Sequence, residues 1–460
     1  MLDMFDRFGR RRFLQAAGLG MAARWTGRAE PVQSPGQLAA PAFTINVRET
    51  GAKGDGVTKD TAAIQQAIDR CWVLGGGEVL APAGNYLTGA LALRSHVILR
   101  LEKDAVLTGS PDFADYPVSQ VRWEGKWIPG RTALIYANDA EHTGIIGPGH
   151  IAGNPALGGR PNAQNPLRHP ALIEPINCRE LRFEDFSTDY HLMWCLHPTY
   201  CENVTIRNLT IRSTGGNGDG IDIDSCKHVR IEGCDIATGD DCISLKSGRG
   251  AEGYALLRTT EDVTISNCTM ADSIFACIGI GSETSGGIRN VRIQHCKFTH
   301  AQTFAIYIKS RPGRGAFIED ITCDDLDVSG MIGGFLRFNV LASGIQDPEP
   351  VPGDAGIPAI RNFKFTNIRV KDSGALVDGT GIHPRKPLDG FTLSNVTGAC
   401  TTGMKLANIK NADLQGIHVM IANGPMLGTN NVTGRGLSGA VPIDPPKVPD
   451  AVTAAPYKLH

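Results

Sequence analysis

A nine-residue phrase recurs along this chain, and it narrows the possible folds more than any other feature. Asn203–Ile211 reads NVTIRNLTI, His228–Ile236 HVRIEGCDI, Asp262–Met270 DVTISNCTM and Asn290–Phe298 NVRIQHCKF. Looser copies begin at Glu180, Asp320, Asn362 and Gly390, so successive starts lie 23, 25, 34, 28, 30, 42 and 28 residues apart. Such periods mark a solenoid, in which each unit buries its apolar face against its neighbours.

The columns of the repeat identify the unit. Its second position is Leu181, Val204, Val229, Val263, Val291, Ile321, Phe363 and Phe391; its fourth is Phe183, Ile206, Ile231, Ile265, Ile293, Cys323, Phe365 and Leu393. Apolar residues two apart, with polar ones between, make a strand with one buried face. The sixth position is Asp185, Asn208, Gly233, Asn267, His295, Asp325, Asn367 and Asn395. All but His295 are types that tolerate the left-handed backbone of a bend. The seventh is apolar again, with Cys234, Cys268 and Cys296 in one column. Each repeat therefore reads as strand, bend, strand and a longer return. Stacking pairs like with like in parallel, about 4.8 Å per coil. The expected fold is an all-β parallel β-helix.

A solenoid must hide its ends. Asp60 is placed to N-cap a short helix carrying Ile64, Ala67, Ile68 and Cys71 on one face, stopped by Gly75-Gly76-Gly77. That helix is read as the N-terminal cap. Residues 41–428 are read as one catalytic solenoid domain. Residues 429–460, rich in Gly and Pro and without the repeat, are read as an irregular tail. Residues 1–40 are read as a signal peptide and linker: Arg10-Arg11-Arg12-Phe13-Leu14 is a twin-arginine pattern, and the apolar run after it is too short to span a bilayer. The chain is thus expected to use twin-arginine export machinery and to be periplasmic or secreted, as a monomer. A net charge of −2 points to neither nucleic acid nor an anionic membrane. Twelve cysteines, several at apolar repeat positions and none in a CxxC or Cys/His spacing, read as buried thiols rather than a zinc site.

The chemistry lies in the second strand of successive coils: GDGIDID (Gly218–Asp224), DDCISLK (Asp240–Lys246), FACIGIG (Phe275–Gly281) and TFAIYIK (Thr303–Lys309). Aligned on their isoleucines, Asp219, Asp241, Ala276 and Phe304 share one column. Asp222, Ser244, Gly279 and Tyr307 share a second, and Asp224, Lys246, Gly281 and Lys309 a third. Asp240 lies beside Asp241. Carboxyl groups this close hold at least one proton at neutral pH. A protonated acid beside a carboxylate is what glycoside hydrolysis needs, one to protonate the leaving oxygen and one to activate water. Turn-forming Asp is the alternative, but three carboxylates in register exceed what turns require.

These stretches resemble glycoside hydrolase family 28, the polygalacturonases, from about Phe43 to about Gly398. GNGDGIDIDSC is similar to the family's Asn-Thr-Asp-Gly motif, with Gly218 in place of Thr, and TGDDCISLKSG to its Gly-Asp-Asp motif. The resemblance implies a right-handed β-helix and inverting cleavage of galacturonate-containing chains without a cofactor or metal. It implies Asp240 as general acid, and Asp219 and Asp241 as the pair that holds the water. Two motifs depart from the family: Ala276 stands in the place of a histidine and Tyr307 in that of an arginine, with Lys309 kept. Tyr307 cannot grip a carboxylate in the two-pronged way of arginine, but can stack on a sugar. Altered specificity is therefore expected.

Asn217, Glu283, Tyr307 and Lys309 are the candidate substrate-binding residues. Lys246 falls in the same column as Lys309. His197 and His300 are candidates to replace the histidine, and Trp123, Trp127 and Trp194 are candidate sugar platforms. The inserts Asn154–His169 and Leu341–Pro358 are candidate walls at one end of the cleft. Two other readings are a β-helix uronate lyase or epimerase, which needs an added basic pair not evident in these motifs, and a non-catalytic glycan-binding protein.

Overall fold

The computed structural model describes residues 43–158, 161–191 and 193–449. The twin-arginine stretch and the rest of the expected leader lie outside the described residues, as do positions 450–460 of the expected tail.

The repeat columns become ladders. Leu181 pairs with Val204, Val204 with Val229, and the series continues through Val263, Val291, Ile321 and Phe363 to Phe391. The fourth-position column follows the same register, and both are buried along their whole length. Pairing is parallel throughout the large sheet, and the architecture is a right-handed parallel β-helix. Every sixth-position residue, His295 included, has a left-handed backbone, with φ of 53° to 71°. The first position, from Glu180 through Gly390, is left-handed as well. Each coil therefore turns at two fixed points, and the sequence reading found only one of them. Exposed amides tie the bends together along the stack: Asn208 Nδ2 donates to Asp185 at 2.9 Å and Asn203 Nδ2 to Glu180 at 2.8 Å.

Helix α1 (Thr61–Val73) caps the N-terminal end and buries Ile64, Ala67, Ile68 and Cys71 as expected. Asp60 does not cap it through its side chain. Its carboxylate instead accepts from the backbone N–H of Lys53 at 2.6 Å and Gly54 at 2.8 Å, bracing the preceding loop. The C-terminal boundary also differs. The last long strand runs Leu388–Arg435, through the expected break at 428, and Val441–Pro442 pairs with Gly428–Thr429. Met404, Leu406, Leu414 and Leu427 continue the core there. All twelve cysteines are free and buried. Among the described residues no helix is long and apolar enough to cross a membrane.

Candidate active site

Strands Ile221–Asp224, Ile243–Lys246, Ile278–Ile280, Phe304–Lys309 and Gly334–Asn339 lie side by side. Their register is the one expected: Asp222 opposite Ser244, Ser244 opposite Gly279, Gly279 opposite Tyr307. Just before these strands, Gly220 N donates to the Asp241 carbonyl at 3.0 Å, which sets Asp219 and Asp241 on adjacent coils. The Asp240 carbonyl accepts from Thr238 Oγ1 at 2.9 Å and Ser273 Oγ at 2.8 Å, fixing the bend from which its side chain departs.

One carboxylate oxygen each from Asp219, Asp240 and Asp241 lies within 4.8 Å of the others. Asp219 and Asp241 are buried, and Asp240 is half-buried. Burial pushes Asp219 well above the usual carboxylate range, and the charges of Asp222 and Asp240 push it further. Burial, then the charge of Asp241, raises Asp240. Asp222, wholly buried, is pushed up to about 8 by burial, against the pull of Lys246. Asp219, Asp222 and Asp240 therefore all hold a proton more tightly than a free carboxyl does. Asp241 is the best-held of the acids: it accepts from Ser244 Oγ at 2.6 Å and Ala276 N at 3.2 Å, and Lys309 Nζ rests on its Oδ2. Gly279 makes that contact possible. A Cβ there would collide with Asp241 Oδ2 and sit 2.8 Å from Lys309 Nζ.

The other expected residues divide. Lys309 turns its ammonium inward onto Asp241. Tyr307 is only 5% exposed: Phe275 stacks on it with ring centres 5.5 Å apart, and Arg337 lies 5.2 Å from its centre. Its faces are occupied, so it is not the sugar-stacking surface expected of it. Ala276 packs with Phe304 and Tyr307, and its side chain has no group to act on a proton. Glu283 is buried behind the site, 3.4 Å from Lys246 Nζ, which also lies 3.4 Å from Asp222. Asn217 sits half-buried on the turn before Asp219 with φ of 64°. His197 is fully buried, its Nδ1 3.0 Å from Glu174, and His300 pairs with Asp272; neither stands with the acids. Trp194 is buried under Trp123, with ring centres 4.7 Å apart, and Trp127 packs against Arg122.

Trp123 and Trp127 belong to a hairpin, Val118–Trp123 with Lys126–Arg131, that the sequence reading missed. Arg122 Nε donates to Asp224 Oδ2 at 2.9 Å, with both side chains buried. Arg249 Nη1 donates to Glu124 at 2.9 Å, and its Nε to Asp347 at 3.2 Å. These bonds join the hairpin, the loop beginning helix α2 (Gly250–Leu256) and the Leu341–Pro358 insert into one wall beside the strand ends. Arg337 was also missed. It follows Tyr307 in register on the next coil, so the fold gathers more cations here than the motifs revealed.

The family model for glycosyl hydrolases family 28 matches residues 71–414. The chain belongs to glycosyl hydrolase family 28 and is a glycosidase. A probable polygalacturonase of Vitis vinifera is 31% identical over 376 residues, covering 78% of this chain and 75% of that protein. An endo-polygalacturonase of Pectobacterium parmentieri is 26% identical, covering 85% of this chain and 96% of its own length. The exopolygalacturonase structure from Thermotoga maritima superposes with a TM-score of 0.69 at 27% identity, over 82% of this chain and 93% of that one. Among the described residues the same three carboxylates are spaced so that they could also hold a cation, although Lys309 already lies against one of them.

Proposed function

We propose that this glycosidase cleaves pectic, galacturonate-containing chains, with Asp240 as the acid and Asp219 and Asp241 holding the attacking water. The observation that carries this reading is the unequal environment of clustered acids. Asp240 is half-buried, its carboxyl is raised by burial and by the charge of Asp241, and it meets solvent. Asp241 beside it is fixed by three donors and is oriented to accept a proton from water. Asp219, against the same water position, adds a second oxygen. Asp222 and Lys246 lie behind them and set their charge.

Inversion of the anomeric centre is what the family resemblance implies. Export through the twin-arginine route, with a monomer acting in the periplasm or outside the cell, completes the proposal.

The test is incubation of wild type and Asp240→Asn with polygalacturonate, esterified pectin and branched pectic chains. New reducing ends are expected from the wild type and not from the variant. Products carrying an ultraviolet-absorbing double bond would make the enzyme a lyase. No product from any of these chains would end the pectic reading.

A further inference from the structure

One cation on the C-terminal side of the acids has no part in the acid chemistry. Arg337 continues the column of Ser244, Gly279 and Tyr307. Its guanidinium carbon lies 5.2 Å from the ring centre of Tyr307 and 5.5 Å from that of Phe304, both on the preceding coil. The side chain therefore leans back toward the acids. Phe275 stacks against Tyr307 in turn, so the guanidinium rests on an aromatic bed that is itself fixed.

Exposure separates it from its neighbours. The Arg337 side chain is 37% exposed, against 9% for Lys309, which is already bound to Asp241. Its polar neighbour is Asp378, whose Oδ2 lies 3.3 Å from Nε in an arrangement too poorly aligned for a hydrogen bond. Among the described residues, neither terminal nitrogen of Arg337 donates to the protein. A guanidinium held on aromatic rings, with both terminal nitrogens unengaged, is preorganised for a carboxylate's two oxygens.

We propose that Arg337 reads the carboxylate of a sugar beyond the cut, three coils along the stack from that of Asp241 at about 4.8 Å per coil, and that Tyr307 is its platform. This inference rests on the pectic reading above and names the residue that recognises the uronate.

The experiment compares kcat/KM on an ionised oligogalacturonide and on its methyl ester, for wild type, Arg337→Gln, Arg337→Lys and Asp378→Asn. Arg337→Gln is expected to lose about 10- to 100-fold on the ionised substrate, the range of one or two charge-assisted hydrogen bonds. The loss should fall mainly on KM, with less than about a twofold change on the ester. Arg337→Lys keeps the charge without the fork and should fall between. Asp378→Asn removes the competing acid and should lower KM for the ionised substrate alone, an effect that a merely structural arginine would not give. Equal losses on both substrates, or no loss on either, overturn the proposal. If the wild type cuts neither substrate, the pectic reading itself has failed. If Arg337→Gln cuts the ionised substrate as well as the wild type does, only the assignment of Arg337 has failed.

Discussion

Replacing Lys246 by methionine, similar in length but uncharged, isolates the ionic network behind the acids. Lys246 Nζ lies 3.4 Å from both Asp222 Oδ1 and Glu283 Oε2. Burial pushes the Glu283 carboxyl up, but Lys246, then Arg314 and Arg249, outweigh it and hold it at about 2 instead of 4.5. One pH unit of displacement corresponds to about 1.4 kcal/mol, so the net gain at Glu283, after the cost of burial, is about 3 kcal/mol. The carboxyl is depressed on folding, so this contribution is complete above pH 4.5 and is lost as pH falls through about 2. Burial lowers Lys246, but Glu283 and Asp222 outweigh it and raise the ammonium well above 10.5, so its share is complete below 10.5. Both shares are therefore present between pH 5 and 8. With methionine at 246, burial gains weight at Glu283 and Arg314 and Arg249 remain. The expected loss is about 2–3 kcal/mol at pH 8, below the roughly 3–5 kcal/mol for a buried pair broken outright, and smaller at pH 4. Urea unfolding of both proteins at pH 4, 6 and 8 measures it. A difference that is the same at all three values would refute the assignment to this ion pair.

Three further outcomes are expected. Asp219→Asn and Asp241→Asn should each lower kcat by roughly 10²- to 10⁴-fold, read from reducing-end release, with the far-ultraviolet circular dichroism of the β-helix unchanged. NMR of the first-formed product should show an inverted anomer; a retained anomer would mean that a carboxylate, not water, attacks. All twelve thiols are buried, so a thiol reagent should titrate none in the native protein and all twelve in denaturant, and any native reactivity would show an open coil.

Most of the solenoid was legible because its signal is local and repeated. An apolar residue every second position, read coil after coil, gave the register that places Asp219 beside Asp241. The bend at the first repeat position was legible too, since Asn203, Asp262, Asn290, Asp320, Asn362 and Gly390 all tolerate left-handed backbone; only Glu180 and His228 are not typical of it. Only the stack enforces it there. The final coils escaped because Gly and Asn interrupt the alternation between Thr397 and Arg435. The wall was illegible for a different reason: Arg122 and Asp224 are 102 residues apart, and nothing local in either stretch announces the other. Arg337 was within reach. FLRFN repeats the spacing of AIYIK on the next coil, and one more row of the alignment would have placed it behind Tyr307.

The straight stacking of like positions makes the cleft floor a ruler, with one mark per coil. Consecutive marks stand about 4.8 Å apart, and each mark in the column after the acids is a single residue: Ser244, Gly279, Tyr307, Arg337, Asp378, Lys405. Exchanging two neighbouring marks moves a charge along the floor by one step and leaves the backbone as it was. Such an enzyme can change which link of its polymer it inspects without refolding, and the pair Tyr307 and Arg337 is the place to slide that inspection point one coil toward the acids.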